Sequence, residues 1–358
     1  MTDDAIRVEH LSKRFEVPIR QPRTSLWRRV THFVRNPTEA LTAVDDLSFR
    51  VPRGEVVGLL GANGSGKSTT VKMLTGILTP TSGEATVLGF SPHRQRKAYT
   101  QHIGVVFGQK SLLWWNIPVI ESFKLYRDIY GQDDASFNAR LRHFVDVLEI
   151  RDYLHIPVRK LSLGMRMRAE LVASLLHRPE IIFLDEPTIG LDVLGRRNLK
   201  RFLRRLNQDE GVTIVLTTHN MFDVEELCRR CIILREGAKV YDGDIAALKA
   251  AERHKIIELD VVEIVDPGRF EAILHRCEVL EGNAVRYRLR VPSEVAVQVV
   301  QVLFDCARLE SVNILPPNLE HVVERMLEGG MLEGRMLEGS GGAGATPGRE
   351  DALCGARH

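Results

Sequence analysis

Residues 61–68 read Gly-Ala-Asn-Gly-Ser-Gly-Lys-Ser, the spacing G-x-x-x-x-G-K-[ST] of a phosphate-binding loop. Each fixed residue type has a task there. Gly61, Gly64 and Gly66 let backbone N–H groups turn inward as an anion nest, a conformation that side chains would resist. Lys67 can then reach the β- and γ-phosphates of a nucleotide, and the Ser68 hydroxyl a Mg2+ ion. Ala62, Asn63, Ser65 and Thr69 complete the stretch that would wrap a nucleotide's phosphates. A glycine-rich turn alone could look the same, so the flanks matter. Residues 55–60 (EVVGLL) read as a buried strand before the loop, and residues 68–78 (STTVKMLTGIL) as a helix after it. The helix N-terminus adds its partial positive charge to the nest.

The elements that must position this loop form an α/β pattern. Residues 5–17 and 41–51 alternate as strands, and residues 81–90 look like a hairpin. Residues 102–109, 180–185 (EIIFLD) and 211–218 (GVTIVLTT) are short apolar strands of the buried parallel type. Residues 111–178 between them are mainly helical. Residues 136–149 place Phe137, Leu141, Phe144, Val145 and Leu148 on one side, and residues 165–177 form another helix. Strands alternating with helices predict a largely parallel sheet. After Gly243 the texture changes to strand, helix, two strands, helix, strand over residues 255–315. That order predicts a small α+β ferredoxin-like C-terminal domain, and a short helix follows at 318–327. The expected domains are therefore 1–243, with a helical subdomain at 111–178, then 250–327, then a tail at 328–358. The tail carries MLEGG, MLEGR and MLEGS in succession and is Gly/Ala/Pro-rich, which predicts disorder.

Composition narrows the functional classes. The chain has 358 residues, 44% of them hydrophobic and 27% charged, with a formal net charge of +2. That balance argues against a generic nucleic-acid binder. No apolar run reaches the ~18 residues of a membrane span, and the first residues (MTDDAIRVEH) lack a signal core. A cytosolic protein, or one peripheral on the cytoplasmic face of a membrane, is expected. Five cysteines suggest reduced thiols. Cys228 and Cys231 form C-x-x-C, but a metal site needs a second ligand pair. A buried helix-to-strand junction is the expected reading. Residues 18–40 stand apart, with Arg20, Arg23, Arg28, Arg29 and Arg35 and no acidic residue between Pro18 and Asn36. Leu26, Trp27, Val30, Phe33 and Val34 fall on one helical face. Two readings fit: a basic amphipathic helix whose residues 20–36 touch inner-leaflet lipid or a membrane partner, or a short helix packed on its own domain.

Five further stretches stand in an order and spacing that resembles the ATP-binding cassette (ABC) ATPases, over roughly residues 5–243. Residues 161–165 (LSLGM) look like the family's LSGGQ signature, with Ser162 and Gly164 retained and Leu163 and Met165 departing. The resemblance implies that Ser162 and Gly164 bind the γ-phosphate of ATP held by the opposite subunit. Asp185 and Glu186 end a hydrophobic strand. A carboxylate there can hold Mg2+ directly or through water, and Glu186 would be the general base that polarises the attacking water. Asp192 lies in a segment like the D-loop, which crosses the dimer interface. His219 resembles the histidine that hydrogen-bonds the γ-phosphate, and Gln109 the glutamine that contacts Mg2+ or the water. Phe15 would stack on adenine, with core packing as its rival. The implied fold is a P-loop NTPase of ABC-ATPase type, and the implied cofactors are ATP and Mg2+.

With one cassette per chain, the resemblance implies a dimer with two composite sites and coupling to separate transmembrane permease subunits. Residues 111–122 (SLLWWNIPVIES) would form the groove that receives a permease helix, with Trp114 and Trp115 either at that interface or in the helical core. The wording of residues 107–130, the LSLGM signature and residues 316–320 (PPNLE) most resemble ABC-2-type exporter ATPases, a group that moves drugs, antibiotics and polysaccharides. Two alternatives stand beside export: an importer ATPase whose C-terminal domain senses a ligand, and a soluble ABC ATPase acting on ribosomes or DNA. The second usually has two cassettes or a long coiled-coil insertion, and neither is present.

Overall fold

The computed structural model describes residues 4–18, 38–108, 111–283, 285–316 and 318–327. Two long strands open the chain, β1 (Asp4–Pro18) and β2 (Thr38–Pro52). They pair antiparallel out to Pro18↔Thr38, so residues 18 and 38–40 are strand and the predicted insertion shrinks to 19–37. The predicted basic helix and its lipid contact lie outside the described residues. β3 (Val56–Leu60) leads through the glycine-rich loop into α1 (Lys67–Leu74). β4 (Ser82–Val87) pairs with β1. The predicted hairpin at 81–90 is only one bridge, Val87 to Phe90, because the long partner of β4 is the distant β1.

After α2 (Arg96–Tyr99) and β5 (Ile103–Phe107) the chain turns helical, with α3 (Val119–Ile129), α4 (Asp134–Val147) and α5 (Leu163–Leu175). Asp133 and Ser162 start α4 and α5 by accepting a bond from the N–H three residues on. Then come β6 (Ile181–Asp185), α6 (Val193–Glu210), β7 (Thr213–Thr217), α7 (Met221–Leu227), β8 (Arg230–Arg235), β9 (Ala238–Asp244) and α8 (Ile245–Ala250).

The central sheet has the order β5-β6-β7-β3-β8-β9. Its first five strands are parallel and β9 closes the edge antiparallel. The continuous apolar runs follow from burial on both faces. In β6, Ile181 and Phe183 enter the core shared with β1, β2 and α1, while Ile182 and Leu184 enter the core shared with α3 to α6. Each such side chain contributes roughly 2 kcal/mol of burial. The order also sets β6, β7 and β3 side by side, so their carboxyl ends converge at one edge of the sheet.

The C-terminal unit consists of β10 (His254–Ile264), α9 (Pro267–Leu274), β11 (Glu278–Gly282), β12 (Arg286–Pro292), α10 (Ala296–Cys306) and β13 (Ala307–Leu315). Its antiparallel sheet, β11-β12-β10-β13, is ferredoxin-like. Ile257, Leu259 and Val261 of β10 face its apolar core, and Glu258 and Asp260 on the other face pair with Arg288 at 3.0 Å and Arg286 at 2.7 Å. The last helix, α11 (Leu319–Leu327), differs from expectation. Its Leu319, Val322 and Val323 are fully buried in the core of the larger unit, not of the small one.

Cys228 ends α7 and Cys231 lies in β8, both buried. Burial pushes the Cys231 thiol up to about 12. No cluster of three or more His, Cys, Asp or Glu among the described residues is placed to hold a metal. The pair is a buried junction. Among the described residues no helix is long and apolar enough to cross a membrane.

One histidine locks the helical layer to the sheet. The His177 ring stacks on Tyr130 at 3.8 Å, and Nε2 donates to the Ile103 carbonyl at 2.9 Å. Nδ1 is buried without a partner, so the ring is neutral. Burial holds its pKa down to about 4, from 6.5. Between those values the unfolded chain takes up a proton that the folded chain does not, so stability present above pH 6.5 is lost as the pH falls toward 4. Thermal denaturation of His177→Phe across that window should show a flatter loss of Tm than the parent chain.

Candidate nucleotide site

The loop after β3 takes a backbone that only glycine tolerates. Gly61 has φ 147° and Gly66 φ 101°. A Cβ on Gly61 would lie 2.3 Å from the Leu234 carbonyl oxygen, and one on Gly66 2.5 Å from that of Ala43. Gly66 precedes the first residue of α1 without any side-chain cap. The helix therefore presents unpaired N–H groups to the loop. Lys67 Nζ lies inside the turn, donating to the carbonyls of Gly61 at 2.7 Å and Ala62 at 2.9 Å. Burial lowers its pKa, and the charges of Glu186 and Asp185 oppose that shift. The Ser65 hydroxyl is buried without a partner.

Gly66 and Lys67 line a cavity of about 240 Å³, with Asn63, Gly64, Ser68 and Thr69 on the loop side and Asp185 and Glu186 opposite. Asp185 ends β6, and its Oδ1 accepts a bond from the Thr217 hydroxyl at the end of the adjacent β7. Glu186 follows in a left-handed conformation, φ 54°, which costs a non-glycine residue roughly 1–2 kcal/mol. Its N–H donates to the Thr217 carbonyl at 2.8 Å, which ties the turn to β7. Glu186 Oε1 then lies 3.2 Å from His219 Nδ1, just beyond the same strand. Thr217 thus holds both carboxylate residues. Sequence reasoning missed it, although the run Leu-Thr-Thr-His before His219 carried a hint.

Mg2+ suits this donor set. Ser68 supplies a hydroxyl and Asp185 a carboxylate on one cavity. A hard cation that keeps most of its water needs one or two carboxylates plus phosphate oxygens, not a protein cage.

The other predicted residues lie elsewhere. Ser162 caps α5 by accepting from Met165 N at 3.2 Å, and Asp192 caps α6 by accepting from Gly195 N at 2.7 Å. With Gly164 they line a separate cavity of about 280 Å³ that shares no residue with the loop cavity. Gly164 and Gly190 allow that contact: a Cβ on Gly190 would lie 2.2 Å from a Leu163 methyl. Phe15 is half-buried beneath the Lys13 ammonium at 5.2 Å. It pairs with Leu41, two residues from the cavity-lining Ala43, but does not line the cavity itself. Gln109 lies outside the described residues. Trp114 and Trp115 are 42% and 51% exposed, so they are not the helical core. Trp114 packs on Tyr126 at 5.5 Å, and Arg166 of α5 lies over Trp115 at 5.8 Å.

Residues 44–189 match the family model for the ABC transporter. The chain is similar to the ABC transporter ATP-binding protein NatA of Bacillus subtilis, at 34% identity over 60% of this chain and 87% of that protein. It is 33% identical to the Nod factor export ATP-binding protein I of Rhizobium etli, over 79% of this chain and 88% of that one. It is 38% identical to the probable multidrug ABC transporter ATP-binding protein YbhF of Escherichia coli, over 58% of this chain but only 36% of YbhF. Among solved structures, an ATP-binding subunit of an ABC transporter superposes with a TM-score of 0.57 at 25% identity, covering 69% of this chain and 92% of that one.

The loop's dependence on glycine gives a direct test. Gly66→Ala forces a strained φ and a backbone clash worth on the order of 2 kcal/mol. It should lower Tm and weaken nucleotide binding at least tenfold by calorimetry. Lys67→Ala should weaken binding with Tm nearly unchanged.

Proposed function

The chain belongs to the ATP-binding proteins of ABC transporters, which are ATPases, and from that premise we propose that it is the dimeric motor of an exporter built with separate permease subunits. The separation of the two cavities carries this reading. One holds the phosphate loop, Asp185 and Glu186, and the other holds Ser162, Gly164 and Asp192. A helix start that could meet a γ-phosphate thus opens on a cavity other than the one that holds its own chain's phosphate loop. A second copy, related by two-fold symmetry, supplies it. Two ATP molecules then lie between the copies, and binding energy becomes closure.

In each site Gly61 to Thr69 cradles the phosphates and Lys67 neutralises them. Ser68 and Asp185 would hold Mg2+, with Gln109 as a further proposed contact, and the bound ion would supply charge stabilisation at the β- and γ-phosphates. Glu186 accepts the proton of the attacking water. His219 holds the γ-phosphate side and keeps the Glu186 carboxylate aimed. Phe15 stacks on adenine from the edge of β1. The signature's departures at Leu163 and Met165 leave the Ser162 hydroxyl and the α5 N-terminus as the donors from the partner copy.

Export is supported by relatives named for Nod factor export and multidrug transport. The exposed Trp114 and Trp115 would receive the permease, with the protein on the cytoplasmic face of the membrane. The formal net charge of +2 does not favour ribosomes or DNA.

The full-length Glu186→Gln variant tests the reading in one preparation. It should bind ATP, sediment as a dimer with ATP, and bring a multi-span membrane protein with it from detergent extract. Turnover should fall at least ~100-fold. A variant that stays monomeric with ATP, or hydrolyses at the parent rate, would overturn it.

A further inference from the structure

The last helix touches the nucleotide-binding unit at both ends. At its start the Leu319 N–H, one of the donors that a helix leaves unpaired, donates to Glu225 Oε1 at 2.8 Å. Lys249 Nζ of α8 lies 3.2 Å from the same oxygen. Glu225 is on α7, the helix that begins two residues after His219. Asn220 joins the two, its side-chain oxygen accepting from Phe222 N at 3.1 Å. At the other end of α11, Arg235 Nη1 donates to the Met326 carbonyl at 3.0 Å. Arg235 ends β8, and the turn after it braces the phosphate loop, with Gly237 N donating to the Ser65 carbonyl at 3.1 Å. A nine-residue helix, about 13 Å long, therefore ties the segment behind His219 to the turn behind the phosphate loop.

The same helix is held by the C-terminal unit. His321 Nε2 lies 3.4 Å from Arg288 Nη2 of β12, and Arg325 pairs at 3.0 Å with Glu252, just before β10. Two-thirds of the His219 side chain is exposed, so packing does not fix it. Its place is set by β7 on one side and α7 on the other. α7 has seven residues, too few to be stable alone. It is pinned by buried Val224, by Asp223 to Lys200 at 3.3 Å, and by Glu225.

We infer that Glu225 is a positioning residue for ATP hydrolysis: through α7 it holds His219 against Glu186, and through α11 it makes that position depend on the C-terminal domain. The inference rests on the role proposed above for His219. Removing the carboxylate leaves the α11 N–H and Lys249 without their partner and lets α7 shift. Catalysis responds steeply to such displacements, whereas the phosphate loop, braced from β8, keeps its affinity.

A mutant cycle on the full-length chain tests it. Glu225→Ala, Glu225→Gln, His219→Ala and the double variant Glu225→Ala/His219→Ala are compared for kcat, KM for ATP and Tm. Glu225→Ala should lower kcat about fivefold or more with KM for ATP little changed. Glu225→Gln keeps an oxygen that can accept from Leu319 N and should keep most of the rate. In the His219→Ala background, loss of Glu225 should cost nothing further. Equal losses in both backgrounds, or an unchanged kcat in Glu225→Ala, would overturn the inference. A His219→Ala variant with parental kcat would instead overturn the role of His219 itself, so the two failures separate. Should the alanine variant not fold, Glu225→Leu keeps the volume without the acceptor and carries the same outcomes.

Discussion

Unpaired backbone N–H groups at the start of α1, with the Lys67 ammonium enclosed beside them, are the constraint on which the rest of the structure depends. Concentrating positive potential inside a folded chain is costly unless negative groups stand against it. The chain answers on two scales. The Gly61 and Ala62 carbonyls hold the ammonium directly, and Asp185 and Glu186 face it across the cavity. Those carboxylates are there because β6, β7 and β3 stand in succession in a parallel sheet. Parallel strands bring residues far apart in sequence to one edge.

Holding that edge requires local strain. Glu186 adopts a left-handed backbone because its N–H is bound by Thr217, and that same Thr217 fixes Asp185. The glycines at 61 and 66 make room for neighbouring strands that a side chain would push away. The loop is therefore not free-standing. Ala43 of β2, Leu234 of β8 and the turn at Gly237 press against it, so β2 and β8 both act on the loop. The cavity lined by Ser162, Gly164 and Asp192 is shaped differently: two helix caps and close glycine contacts set its form.

Much of this was legible in the sequence. Short apolar runs marked β3, β6 and β7, because strands buried on both faces lose the alternation that half-buried strands keep. Glycine spacing marked the loop, and Asp185 and His219 stood at strand ends where a parallel sheet must gather them. Other features were not legible. Leu319, Val322 and Val323 announce an amphipathic helix, but periodicity says nothing of which core receives it, and α11 returned to the larger one. β4 pairs with β1 across roughly seventy to eighty residues, so its local turn suggested a hairpin instead. The conformation of Glu186 comes from Thr217 on another strand and leaves no mark on its own neighbours. Phe15 pairs with Leu41 beside the cavity, whose lining is made by other residues.

The central claim is that one chain carries two halves of different sites and that hydrolysis requires a second copy. ATP turnover per chain, measured against chain concentration alongside the sedimentation mass, tests this most directly. Turnover per chain should rise with concentration in step with the dimer fraction and vanish where only monomer sediments. A constant turnover per chain down to dilutions at which the protein is monomeric would contradict it.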